Sequence, residues 1–483
     1  MNFFKRNINN ISLFFNKYFV QKLKEKELLK KILFTLSMMV IFVVIGTITL
    51  PGISISNSDM LNSTDSFMGI LNTIGGGGLR NFSLVSLGIS PFITASLVMT
   101  FAQTKLVPPI YRLYQSGPIG RIKINYITYG LTFLFAMIQG IIIIQSLTNS
   151  TTSVYISIDE KFNNSWFIWV VLPFILVAGT FLSMFIAEQI TNKGVGNGSS
   201  MLILAGSIIS LPSLFTSAWT YWIQDRVSIE LFRGIVYFIG FIFLFIGMVF
   251  VISFFYQAER RVPIQQIGVG RSKNIKDLSY LPIKLNPSGI MPIIFASMLI
   301  TFPMMIVNLV NELAPSAATR WMIKYFSLEN ALGLTIYSVA TFAITIFLSL
   351  QQSRIDKIVE DFNKVSTFIP GIRPGEQTED YLTSIVLRLS IFSAFYLTIL
   401  GSIQYVSIIL GAPQQLVISG TSLMIIVTVS IETIQQIEAR YKIQNIFNDK
   451  VKNKDISDFD LEDRREEDYE EQKKYTNNDS ILW

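Results

Sequence analysis

Of 483 residues, 51% are apolar and only 15% are charged, with a mean hydropathy of +0.48, a balance suited to lipid rather than to a soluble core of this length. Histidine and cysteine are both absent, which excludes imidazole acid–base chemistry, thiol nucleophiles, disulfides and the usual zinc and haem ligands, and argues against an enzyme. The net charge of +6 does not by itself indicate nucleic acid, because the basic residues lie in loops beside apolar runs, where anionic lipid and cytoplasmic retention account for them.

The first 31 residues are polar and Lys-rich, longer than the n-region of a secretory signal, and Pro51-Gly52 ends the following apolar run without a small-residue cleavage site. No cleaved signal is expected. Phe3, Phe4, Ile11, Phe14, Phe15 and Phe19 among lysines fit either an amphipathic surface helix or a solvated tail. Runs able to cross ~30 Å of hydrocarbon then follow near 32–50, 124–147, 166–187, 234–256, 288–311, 334–352, 381–406 and 416–436. Two more, at 84–104 and 199–216, are shorter or interrupted by Gly and Pro, as expected for helices packed inside a bundle or lining a cavity.

Ten spans with a cytoplasmic N-terminus place about 32 Lys and Arg inside and about 5 outside, leaving Arg80 and Arg388 near or within the membrane. Both termini are therefore expected in the cytoplasm, with large inner loops near 105–123, 257–286 and 353–380. Trp166, Trp169 and Trp222 fall near the outer ends of spans. Ten spans divide into two sets of five, and an odd number forces the second set to run inverted. The expected halves are 32–220 and 221–440. Pro91-Phe-Ile-Thr-Ala-Ser96 matches Pro292-Ile-Ile-Phe-Ala-Ser297 in the second span of each half, and Gly198-Ser-Ser-Met-Leu-Ile203 matches Gly420-Thr-Ser-Leu-Met-Ile425 in the fifth.

The segment 67–83 contains Gly75, Gly76, Gly77 and Gly78, followed by Arg80. Four glycines weaken a helix, so the segment reads as a movable half-helix folded back from the outer side or as an ordinary loop. Glu188, Glu259, Glu312 and Glu432 fall at or near span ends, with no acidic residue in the middle third of any span, whereas an ion-coupled transporter needs an intramembrane carboxylate. No phosphate-binding Gly-x-x-x-x-Gly-Lys loop occurs either. Glu259-Arg260-Arg261-Val-Pro263 and Phe368-Ile-Pro-Gly-Ile-Arg373-Pro-Gly375 specify stiff, shaped cytoplasmic loops that suit docking.

Several of these segments are specific in wording and order: Gly88-Ile-Ser-Pro-Phe-Ile-Thr-Ala-Ser96, Glu188-Gln-Ile-Thr-Asn-Lys-Gly-Val-Gly-Asn-Gly198, Leu281-Pro-Ile-Lys-Leu-Asn-Pro-Ser-Gly-Ile-Met-Pro292, Phe368-Ile-Pro-Gly-Ile-Arg-Pro-Gly-Glu376 and Gly420-Thr-Ser-Leu. Over roughly residues 20–445 the chain resembles the SecY family, the channel-forming subunits of the general protein translocon. The resemblance implies an all-α membrane protein of about ten helices, in two inverted five-helix halves around a central hourglass pore.

It further implies a mid-membrane ring of Ile89, Ile93, Ile203, Ile294 and Ile425, with Ser199 standing where the family usually places another aliphatic. Segment 67–83 looks like the family's plug. Thr94, Gln139 and Asn286, with Phe302, look like contacts of a lateral gate between the second and seventh spans. Arg373 and the loop at 257–286, with Arg260 and Arg261, look like the docking surface for the SecA motor and the ribosome. SecE and SecG are the other implied partners, the translocating polypeptide with its signal sequence the implied cargo, and no cofactor is implied. The tail from 451 to 483, with 11 acidic and 6 basic residues, reads as disordered and of no assigned role. A small-solute transporter and a poreless insertase or scaffold are the competing readings. The first lacks its expected intramembrane ion ligands, and the second would leave the isoleucine ring without purpose.

Overall fold

The computed structural model describes residues 26–50, 53–55, 82–104, 107–148, 156–158, 166–224, 229–266, 279–328, 330–413 and 416–442. Among these, nine helices are long and apolar enough to cross a membrane, and a tenth, Ser90–Ala102, is shorter. In chain order the helices are α1 (Lys26–Thr47), α2 (Ser90–Ala102), α3 (Pro108–Gln115), α4 (Pro118–Thr148), α5 (Leu172–Lys193), α6 (Gly198–Trp222), α7 (Ile229–Gln257), α8 (Met291–Leu313), α9 (Ala317–Phe326), α10 (Ala331–Ser353), α11 (Ile355–Lys364) and α12 (Glu376–Ile409). A last helix, α13, covers Gly420–Lys442. The ten spans read from the sequence each correspond to one of these, with α3, α9 and α11 lying between spans. The fifth span, read from sequence as 199–216 and interrupted by Gly and Pro, extends further: α6 runs for 25 residues with Pro212 inside it.

Local chemistry explains several helix ends. Pro173 sits in the first turn of α5 and lacks the N–H that an α-helix needs, and the turn before it, Phe167–Val171, widens to π geometry. Asn197 caps α6 by accepting from the Ser199 backbone N–H at 3.2 Å. Arg354, at φ 42°, separates α10 from α11, so the long apolar helix stops before the charged amphipathic one begins.

Among the described residues, six short strands lie in the connections. Ile53–Ile55 (β1) pairs antiparallel with Ile156–Ile158 (β2). Glu259–Pro263 (β3) pairs with Tyr280–Lys284 (β5), and Gln265–Gln266 (β4) with Thr367–Phe368 (β6). The last two ladders were not anticipated from sequence, which marked these segments only as shaped loops.

The chain divides into two compact units, Thr35–Ile431 and a smaller one of Met1–Phe34 with Glu432–Trp483. In the smaller unit, Lys442 reaches back one turn to Glu438 at 3.5 Å. The larger unit holds the apolar core. Its helices bury many hydroxyls, and several are satisfied within their own helices: Thr132 donates to the Thr128 carbonyl at 2.8 Å, Ser183 to Gly179 at 2.9 Å, Ser207 to Ile203 at 3.0 Å, Thr345 to Thr341 at 2.6 Å and Thr428 to Met424 at 2.7 Å.

The two halves share a packing device at their fifth spans. A Cβ on Gly198 would lie 1.8 Å from the Ala187 carbonyl oxygen of α5, and one on Gly420 would lie 2.2 Å from the Leu400 carbonyl oxygen of α12. Only glycine lets these backbones approach so closely. Gly198→Ala and Gly420→Ala should each cost about 1–3 kcal/mol, read as a lower unfolding midpoint in detergent. Gly240→Ala, with nothing within 4 Å of the added methyl, should leave the midpoint unchanged or raise it.

Candidate functional site

The second spans of the two halves begin in the same way. Gly88 (φ 52°) precedes Ile89, Ser90 and Pro91 at the start of α2, and Gly289 (φ 61°) precedes Ile290, Met291 and Pro292 at the start of α8. Each glycine supplies the left-handed turn that a side chain resists, and each proline starts the helix where its missing N–H costs nothing. The device aims Ile89 and Ile93 from one half and Ile290 and Ile294 from the other into the core. Ile203 and Ile425 each lie five residues beyond the close-packed glycine of their helix.

The five isoleucines singled out from sequence are 0–6% exposed: Ile89 0%, Ile93 6%, Ile203 4%, Ile294 4% and Ile425 2%. All five belong to one buried apolar cluster fed by both halves, and Ile290, which sequence reading passed over, belongs to it as well. The match of Ile290 to Ile89 in the repeated Gly-Ile-x-Pro pattern is the signal that could have found it.

Beside this cluster α2, α4 and α8 meet along a seam. Gln139 Nε2 donates to Thr94 Oγ1 at 3.3 Å, and Thr94 Oγ1 lies 3.1 Å from the Ser90 carbonyl oxygen and 3.8 Å from Met298 Sδ. One turn away on α4 and α8, the rings of Phe135 and Phe302 meet edge to face at 5.3 Å. Gln139 is buried with its Oε1 unpartnered. Asn286 does not join this seam. Its Nδ2 donates to the Gly289 carbonyl at 2.8 Å and its Oδ1 accepts from Ser288, whose hydroxyl in turn accepts from Ser349 of α10 at 3.0 Å. Asn286 thus shapes the turn into α8. Farther along α2, Phe101 stacks on Phe347 of α10 at 5.1 Å, and Gln351 donates to the Thr100 carbonyl at 3.3 Å. The contacts joining the halves along this line are therefore apolar faces and a few long hydrogen bonds, each of modest strength.

Next to the isoleucine cluster a cavity of about 480 Å³ opens between α2, α4, α5 and the first turn of α6, with Ile89 and Ser199 in its wall. Ser199, in place of an aliphatic, thus faces a partly polar space.

The basic loops form one body. Arg260 pairs with Ile283 and Arg261 with Pro282 across β3–β5. Arg261 Nε bonds Glu259 at 2.9 Å, and its guanidinium lies 4.7 Å above the Tyr280 ring. Beneath them Val262, Ile355, Val359, Ile369, Leu382, Ile385 and Val386 make a small core of their own. Arg373 is exposed at the tip between Gly371 (φ 86°) and Gly375 (φ 101°), and its carbonyl accepts from Thr378 at 2.9 Å. Gly75, Gly76, Gly77, Gly78 and Arg80 lie outside the described residues.

The seam makes a direct prediction, aided by the absence of native cysteine. The double variant Thr94→Cys with Met298→Cys should form a disulfide under mild oxidation and tie α2 to α8, seen as a mobility shift after cleavage between them. No shift would place the two helices apart.

Residues 83–434 match the SecY family. The protein translocase subunit SecY of Mycoplasma capricolum is 36% identical over 442 residues, covering 89% of this chain and 90% of the relative. That of Bacillus licheniformis is 31% identical over 431 residues, covering 88% and 96%. The fold is shared with a solved protein-conducting channel, at TM-score 0.59 and 15% identity over 87% of this chain and 94% of the other. It is shared also with Sec61 in the canine ribosome–channel complex, at TM-score 0.53 and 15% identity over 87% and 94%. With its spans, its paired helix starts and these relatives, the chain belongs to the SecY family of protein translocase subunits.

Proposed function

We propose that this chain is the central pore subunit of the Sec translocase, passing unfolded secretory polypeptides across the membrane and releasing apolar segments sideways into lipid. The observation that carries this reading is the convergence of Ile89, Ile93, Ile203, Ile294 and Ile425, from both halves, in one buried apolar cluster. Branched aliphatic side chains suit a seal around a moving chain. They exclude water and ions, offer a peptide no hydrogen bond to linger on, and yield by changing rotamer rather than by breaking bonds. Ile290 is a sixth member by position.

In this reading the halves are 32–220 and 221–440, with both termini cytoplasmic, and segment 67–83 is the plug. Thr94, Gln139 and Phe302 hold the lateral gate at the seam, and Asn286 sets the angle at which α8 leaves its loop. Weak contacts suit a gate, because the apolar segment of a signal can replace them at little cost. Arg260, Arg261 and Arg373, carried on a body with its own core, form the docking surface for SecA and the ribosome, which supply the driving force. SecE and SecG complete the complex. One relative of this fold was solved in a ribosome–channel complex, which supports the ribosome as a partner.

A single cysteine placed by Ile93→Cys or Ile425→Cys should crosslink to a secretory chain stalled in transit, and a chain that crosses without meeting either position removes the channel assignment. Replacing several ring isoleucines with glycine should raise the resting ion conductance of reconstituted vesicles, and unchanged conductance counts against the seal. Arg373→Glu should reduce motor-driven export severalfold while leaving the protein stably assembled. Normal export by that variant counts against docking there.

A further inference from the structure

The lining of the cavity beside the isoleucine cluster is mixed: Ile89, Phe92, Met99 and Met184 are apolar, while Asn125, Tyr129, Glu188 and Asn192 are polar. Glu188 is the one acidic residue in the lining, and its position is fixed: the Tyr129 hydroxyl donates to Glu188 Oε1 across the α4–α5 interface. A carboxylate has room for about four hydrogen bonds, so one phenol leaves most of its acceptor capacity free. Among the described residues no lysine or arginine lies within ion-pair distance of Glu188, and the side chain is exposed to the cavity. A carboxylate held in place and lacking a cation is an acceptor for an ammonium or guanidinium group.

We propose that the Tyr129–Glu188 pair is the subsite that receives the cationic amino-terminal residues of an entering signal segment, while the apolar lining residues, Ile89 among them, meet the first turns of its hydrophobic stretch. This rests on the channel reading above and adds to it the place where the charge of the cargo is read. Three features fit this one occupant. A signal carries lysine or arginine immediately before 7–15 apolar residues, and the cavity sets one acid, Glu188, among apolar side chains, with Met184 one turn away on the same helix. The acid lies five residues from the Lys193 end of α5, the end that the charge distribution puts on the cytoplasmic side. Last, the bond from Tyr129 holds the carboxylate in advance, so that little side-chain entropy is lost when a cation arrives.

The experiment is a charge exchange in the full complex, reconstituted with its partner subunits and motor in phosphatidylglycerol vesicles, so that no lipid amine competes for the acid. Three reporters differ only in the signal's n-region, which is lysine-bearing, neutral or glutamate-bearing. Glu188→Gln, which keeps the size and the bond to Tyr129, should slow export of the lysine reporter by about fivefold, the factor carried by one partly exposed charge pair, and leave the neutral reporter unchanged. Glu188→Lys should export the glutamate reporter faster than the wild-type chain does. An equal loss for all three reporters would make Glu188 a packing residue and overturn the proposal, as would no loss for any. If the lysine preference survives Glu188→Gln in phosphatidylglycerol but vanishes when the vesicle surface is made neutral, the lipid headgroup reads the charge and the proposal fails while the channel reading stands. A wild-type complex that exports none of the reporters overturns both.

Discussion

Hydrocarbon supplies no hydrogen bonds, and the organisation of this chain follows from that constraint. Many of its buried threonines and serines donate to carbonyls one turn back in their own helices, as Thr132, Ser183, Ser207, Thr345 and Thr428 do. Those hydroxyls are thereby satisfied before the helices associate, and the packing around them can change without orphaning their donors. A channel that must open for a chain of any sequence needs interfaces of that kind.

Against this background the few polar contacts between helices carry meaning. The Gln139–Thr94 bond is long, Gln139 Oε1 has no partner, and the neighbouring contacts are a thioether and two phenyl rings. Such a seam is closed by little more than dispersion and burial. Elsewhere the same chain builds tightly. Gly198 and Gly420 bring backbone onto backbone, and Tyr337 packs edge to face on Tyr405 between α10 and α12. The Gln139–Thr94 bond lies within the first half, while the contacts that cross between halves at the seam, Thr94–Met298 and Phe135–Phe302, are a thioether contact and a pair of rings, a distribution expected if the halves move as bodies.

The connections between spans follow a third rule. Water is available there, so β3, β5, β4 and β6 can pair in short ladders over a separate apolar core. Arginines at 260, 261 and 373 stand beside that core, which holds them with a firmness that isolated loops of this length lack.

The ten spans and the doubling of the chain were legible in the amino-acid sequence, whereas the five isoleucines were singled out only through the family resemblance. The length of an apolar run maps directly onto bilayer thickness, and glycine and proline mark helix starts by their own backbone limits. Other features awaited the fold. Asn286 bonds its own turn at Gly289 instead of the seam, Ile290 joins the isoleucine cluster, and residues near 265 meet residues near 368 in one ladder. Glu188 finds a phenol 59 positions away, and Thr94 a thioether 204 positions away. Such partnerships depend on the rotation and axial offset of each helix against its neighbours, and hydrophobic periodicity specifies only which side of a helix is apolar, leaving both quantities to the packing of the whole.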